Sequence, residues 1–396
     1  MEYQDIHRYN PALIFYFFNA VYFAGPEMKK NNELEVLRAI GIIFVIIAHL
    51  PFLLPAMPNS LKVLNTYVSF WPGVDIFFAV SGFVITKSIR DQLSTSNTNE
   101  YWSGIKAFWV RRFFRLIPAS WFWLFTSIFL AATLYQFGYF KTVSANTKET
   151  IAQIFYVQNW FAYYCSHGFS ECGINGKYWS LSLEEQFYIA LPIVFFFIKR
   201  HRIAFCLAAI ALQFPLQREI GSALWYVRTD AILWGVIVAL AYDAPIMKKL
   251  TPTFMKFAPV RIIIASALVA SIPAMGLGTI ASFHTGLIAA ACGVIVWLAS
   301  YDQGFFSSSI KNNPVVLWIA SRSYSLYLIH GIGFRLVSHS LQSIYDRELN
   351  GGDIIMVAVL SSILCAILAD LSYRLLEKRF IARGRTASDK IIGATA

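Results

Sequence analysis

Charge is scarce in this sequence. Only 14% of the 396 residues are Asp, Glu, Lys or Arg, against about 25% in a soluble domain. Hydrophobic residues fill 57%, above the roughly 45–50% of soluble chains. This excludes an ordinary water-soluble domain and points to an all-α polytopic membrane protein. Acids are the scarcer sign, 22 against 33 bases, for a net charge of +11. No Lys/Arg-rich run is interleaved with exposed aromatics, so nucleic acid is excluded as a partner. Cysteine is rare, five in all, and no cysteine–histidine spacing suggests zinc or another metal. Internal repeats and low-complexity runs are missing too.

Long apolar runs are what the sequence does have. Length and hydropathy predict about ten transmembrane helices, at 35–56, 70–89, 116–136, 183–199, 202–217, 229–243, 260–275, 279–299, 315–338 and 353–376. If the chain enters the first from the cytoplasm, eight of the 33 Lys and Arg fall outside: Lys62, Lys141, Lys148, Lys177, Arg218, Arg228, Arg335 and Arg347. The other 25 fall inside. That asymmetry predicts both termini in the cytoplasm. Residues 11–25 are too short to span and lack the basic leader of a signal peptide. Residues 1–27 therefore read as an N-terminal extension, either an over-long start before Met28 or a surface-lying segment. Cys165 and Cys172 share an outer loop, where a short disulfide and two free thiols are equally compatible with the sequence.

Ionisable residues inside the apolar runs carry the chemistry, because each is costly at membrane depth and faces the bundle interior or a wet cavity. Arg38 and His49 are eleven residues apart, close to three helical turns, so they share one face about 16 Å apart along the axis. The stretch WPGVDIFFAVSGFVI places Asp75 near the outer end of the second span, with Ser81 and Gly82 deeper. Arg111, Arg112 and Arg115 cluster where the third span leaves the cytoplasm. Ordinary positive-inside anchoring explains them, and so does bidentate binding of phosphate. In YWSLSLEEQFYIALP, Ser182 and Glu185 fit a capping box. That leaves Glu184 beside Trp179 and Tyr188, a carboxylate among aromatics suited to a sugar. His330 lies midway along a late span, where a satisfied packing histidine is the commoner case.

Together these stretches resemble the acyltransferase-3 family of integral membrane O-acyltransferases, over residues 33 to 380. The Arg, ten residues, His pattern falls on Arg38 and His49. GVDIFFAVSGF carries Asp75, Ser81 and Gly82. An RRxxRxxP element matches Arg111, Arg112, Arg115 and Pro118. SLxxExxFY supplies Glu184 and Tyr188, and SYSLYLIH ends in His330. The TRxDA element appears with Val227 for its leading Thr, keeping Arg228 and Asp230. The resemblance implies a transmembrane domain over 28–380 with a basic cytoplasmic tail at 381–396. It resembles the stand-alone branch, without an SGNH hydrolase-like domain, working alone or with a separate periplasmic partner.

The resemblance further implies transfer of an acyl group, acetyl by default, from cytoplasmic acetyl-CoA or another acyl-CoA. The CoA is a co-substrate, not a permanently bound cofactor. The acceptor is a hydroxyl of a glycan or lipid-linked glycan, such as O-antigen lipopolysaccharide or another surface polysaccharide, at the bacterial inner membrane. His49 is expected as general base, oriented by Asp75 or Glu184, with Arg38 at the donor or holding the His49 site. Arg111, Arg112 and Arg115 would hold CoA phosphates, and Ser81 would donate to the oxyanion. Trp179, Tyr188, Arg228, Asp230 and His330 would meet the acceptor. A covalent acyl-enzyme on His49, Ser81 or a tyrosine is a variant of this scheme. The rival reading is a transporter of a glycolipid or small solute.

Overall fold

The computed structural model describes residues 31–393. The expected extension at 1–27 lies outside the described residues. Within them every regular element is helical, as apolar sequence requires where no water is present to satisfy the backbone. The principal helices are α1 (Asn32–Leu53), α2 (Gly73–Ser88), α3 (Thr98–Thr133), α4 (Val143–Ile154), α5 (Trp179–Ile198) and α6 (Arg202–Gln213). Then follow α7 (Asp230–Ala241), α8 (Ala258–Met275), α9 (His284–Ser300), α10 (Ser323–Tyr345), α11 (Ile354–Ser372) and α12 (Lys378–Gly393). A helix lies over each of the ten expected spans. Among the described residues, four stretches are both long and apolar enough to cross a bilayer: α1, α3, α8 and the continuous helical run Gly351–Gly393. By contrast α6 and α7 have 12 residues each, about 18 Å of rise against a hydrocarbon core of about 30 Å.

Small residues set the closest approaches. A Cβ on Gly82 of α2 would lie 2.0 Å from the Ile232 carbonyl of α7, and one on Gly235 of α7 would lie 1.9 Å from the Ala79 carbonyl of α2. The two helices therefore touch backbone to backbone, the small-residue packing that membranes favour. Gly73 performs the same task against α1, where its Cβ would lie 2.7 Å from that of Phe44. This sets the height of α2: it begins level with Gly41–Val45, so His49 stands beyond its first turn.

The start of α1 is anchored by Glu33. Its buried carboxylate accepts from the backbone N–H groups of Gly304, Phe306 and Ser307 at 3.0, 3.0 and 2.6 Å. Helix α3 has 36 residues, about 54 Å, longer than a bilayer core. The described part of the expected basic tail is helical: α12 packs along the first half of α3, with Gly384 against Phe114. Cys165 and Cys172 form a disulfide.

Candidate active site

A cavity opens among α1, α2, α3, α5 and α10. Arg38, Arg112 and Arg115 line it together with Ser81, Glu184 and Tyr188. Helix periodicity brings each of them in. Arg112 and Arg115 lie three residues apart on one face of α3, and Glu184 and Tyr188 lie four apart on α5. The Tyr188 hydroxyl donates to Glu184 Oε2 at 2.5 Å and meets Ser81 Oγ at 2.7 Å. The Arg112 guanidinium stands over the Tyr188 ring, 5.5 Å from its centroid. Arg38 reaches Glu35 at 2.7 Å.

Two expectations change here. Ser182 and Glu185 do not form a capping box, because α5 starts earlier, at Trp179. Ser182 Oγ instead donates to Gln153 at 2.7 Å, and Gln153 donates to Glu185 at 2.9 Å. Arg111 does not line the cavity with its neighbours. Adjacent residues on a helix point about 100° apart, and the acid acting on Arg111 is Asp389 of α12.

The other end of α1 holds a pair of imidazoles. His49 and His330 meet edge to face with ring centroids 4.9 Å apart. His49 Nδ1 lies 2.7 Å from the Val45 carbonyl, and His330 Nδ1 lies 3.1 Å from the Leu326 carbonyl. A carbonyl only accepts, so Nδ1 carries the proton in each ring and Nε2 is the basic nitrogen. His330 Nε2 is buried and has no hydrogen-bond partner among the described residues. Neither Asp75 nor Glu184 orients His49; a carbonyl one turn back on its own helix does.

Between the imidazoles and the cavity stands Tyr327, a cavity-lining residue whose ring centroid is 6.2 Å from that of His330. Its hydroxyl bonds Ser180 Oγ at 2.7 Å and donates to the Lys177 carbonyl.

Asp75 lies elsewhere. Arg228 grips it with two bonds of 3.1 Å, both side chains at most 2% exposed. The guanidinium packs among Trp225, Trp179 and Trp71 at 3.8, 4.8 and 5.1 Å from their rings. Asp230 is paired with Arg218 at 2.6 Å, equally buried. Asp75, Trp179, Arg228 and Asp230 thus form a packed ionic and aromatic plug, with Asp75, Arg228 and Asp230 engaged by protein partners. A charged pair separated by 153 positions leaves no local signal.

Two residues that sequence reasoning passed over lie nearby: Lys177 faces Gly331, next to His330, and Glu149 acts on Lys177. Lys177 is 8% exposed and its Nζ has no hydrogen-bond partner among the described residues. Burial, then the Arg335 charge, hold its ammonium down at about 7. Glu149 of α4 is fully buried, and burial pushes its carboxyl up to about 7. A lysine two residues before a tryptophan at a helix start was the available signal.

Residues 31–371 match the family model described as an acyltransferase domain, acyltransferase-3. The chain is 26% identical over 398 residues to a Staphylococcus aureus (strain MSSA476) protein named "Putative O-acetyltransferase SAS0844", covering 90% of this chain and 58% of the relative. It is 26% identical over 373 residues to peptidoglycan O-acetyltransferase OatA of Listeria monocytogenes, covering 88% and 55%. It is 27% identical over 378 residues to a Bacillus subtilis protein named "Putative peptidoglycan O-acetyltransferase YrhL", covering 89% and 55%. The chain thus spans somewhat over half the length of these relatives. No solved structure matches it.

Proposed function

The chain belongs to the acyltransferase-3 family, and from that premise we propose that it is a membrane O-acyltransferase. It moves an acyl group, acetyl by analogy with the names of its relatives, from cytoplasmic acyl-CoA to a hydroxyl of an extracytoplasmic glycan. A lipid-linked glycan of O-antigen or another surface polysaccharide, at the bacterial cytoplasmic membrane, is the acceptor we favour. Ten spans with both termini inside would place the Arg38 end in the cytoplasm and the His49 end outside.

The observation that carries this reading is the cavity lined by Arg38, Arg112, Arg115 and Tyr327, with the two imidazoles beyond the Tyr327 ring. Guanidinium groups recognise phosphate bidentately, which suits the nucleotide end of CoA. The pantetheine arm would then run past Ser81 and Tyr188 and carry the thioester to Tyr327. Ser81, bonded to Tyr188 and close to Glu184, sits at the arginine end and would position the arm rather than the oxyanion.

The step itself needs one base. His49 Nε2 takes the proton of the acceptor hydroxyl as its oxygen bonds the thioester carbonyl carbon. The carbonyl oxygen becomes an oxyanion as the new carbon–oxygen bond forms. Collapse breaks the carbon–sulfur bond, and the departing thiolate receives the proton from His49. The Val45 carbonyl keeps the ring in the required tautomer throughout.

The test uses the full chain in nanodiscs with radiolabelled acetyl-CoA and no acceptor. Binding, with slow CoA release, is expected. Failure to engage any acyl-CoA would overturn the reading and favour transport.

A further inference from the structure

Two cations lie together at the His49 end, and the acid that acts on both, Glu149, is bonded to neither. Lys177, in the turn before α5, and Arg335, on α10, converge on Gly331. A Cβ at Gly331 would stand 3.1 Å from Arg335 Nη1 and 3.2 Å from Lys177 Nζ. The space they share is open because residue 331 has no side chain. Among the described residues Lys177 Nζ makes no hydrogen bond and neither cation is in an ion pair.

The nearest carboxylate does not fill that role. Glu149 Oε1 accepts from the Gly173 N–H at 3.0 Å and Oε2 from the Asn175 N–H at 2.7 Å. Both its oxygens are engaged by backbone. Arg335 gives Nη1 to the Gly331 carbonyl at 3.0 Å, which leaves other N–H groups of its fork for a second partner. A buried ammonium without a directly bonded counter-charge is costly, and two like charges in one space repel. An oxyanion entering between them relieves both costs. The same end holds His330 Nε2, buried and unpartnered.

We propose that Lys177 and Arg335 form an anion subsite beside the two imidazoles, which seats an oxyanion group of the acceptor. That group is a sugar carboxylate or the diphosphate of a lipid-linked glycan. The inference rests on the O-acyltransferase reading for its meaning, because it specifies the class of acceptor. Lys177 and Arg335 are specificity-determining residues: they place an acidic acceptor so that one hydroxyl faces His49. A neutral glycan would lack that anchor.

Equilibrium binding to the full chain in nanodiscs tests this without any turnover. The probes are a glucuronate-terminated oligosaccharide, its methyl ester, and a neutral sugar on a polyprenyl diphosphate. The wild type is expected to bind one of the two charged probes at least about tenfold more tightly than the ester. Lys177→Met and Arg335→Gln are each expected to erase that preference, and Arg335→Lys to restore part of it. Preference for the glucuronate probe identifies a sugar acid, and preference for the third probe identifies the carrier diphosphate. Equal binding of charged and neutral probes overturns the proposal, as does a preference that survives both substitutions. CoA release by the wild type, measured separately, reports on the O-acyltransferase reading alone, so the two failures are distinguishable.

Discussion

His49 and His330 stand edge to face at 4.9 Å, each with Nδ1 on the carbonyl one turn back on its own helix. Both rings therefore direct basic Nε2 nitrogens away from the backbone that holds them. This arrangement needs no carboxylate. It makes His49→Ala the first substitution to test: transfer is expected to fall about 10²–10⁴-fold, the usual contribution of a general base. Membrane insertion and acetyl-CoA binding should persist. Transfer within a fewfold of wild type would refute the base role.

Arg111 and Arg115 have different surroundings despite sharing one motif. Arg115 lines the cavity and Arg111 does not. A charge-assisted hydrogen bond is worth about 1.5–3 kcal/mol, so Arg115→Ala is expected to weaken acetyl-CoA binding by about 10–100-fold. Arg111→Ala should leave it within about twofold. Equilibrium binding of labelled acetyl-CoA separates the two, and equal losses would contradict a phosphate site inside the cavity.

Asp75 and Arg228 are at most 2% exposed and bound to each other. Removing one partner of such a pair leaves a buried charge and costs about 3–5 kcal/mol. Asp75→Asn is expected to lower the unfolding temperature in detergent markedly, with activity lost in proportion to folded protein. An Asp75→Asn protein that is as stable as wild type yet inactive would instead place Asp75 in the chemistry.

Gly82 meets the Ile232 backbone so closely that a methyl group must push α2 and α7 apart. Gly82→Ala is expected to cost about 1–3 kcal/mol, as overpacking does. Gly351→Ala, with no atom within 4 Å of the new methyl, should change stability by less than about 0.5 kcal/mol. Thermal unfolding of the two variants side by side checks the helix contact.

The anion subsite should respond to pH. Lys177 is held at about 7 and Glu149 at about 7, so both lose protons as pH rises through neutrality. Each loss makes the site less positive. Arg335, His49 and His330 also face Lys177, with Cys365 behind it; any proton these groups lose shifts the charge the same way. Binding of the glucuronate probe is therefore expected to weaken about tenfold between about pH 6 and 8, following the Lys177 ammonium. Lys177→Met should flatten the profile, and a profile that rises with pH would oppose the assignment.

Sequence alone determined what a single helix determines. The 3.6-residue period put Arg38 and His49 on one face of α1, grouped Glu184 with Tyr188, and set Arg112 and Arg115 side by side, because those relations are local. It also established the helical class, since apolar runs without water must bond their own backbone. Only tertiary structure decided the rest. The heights at which helices meet depend on where backbones can touch: Gly73 against Phe44 and Gly82 against Ile232 lower α2, carrying Asp75 away from His49 and into the grip of Arg228. The pairing of His49 with His330, and of Lys177 with Arg335, joins residues far apart in the chain. Such contacts arise from packed surfaces, whose complementarity no spacing along one strand of sequence records.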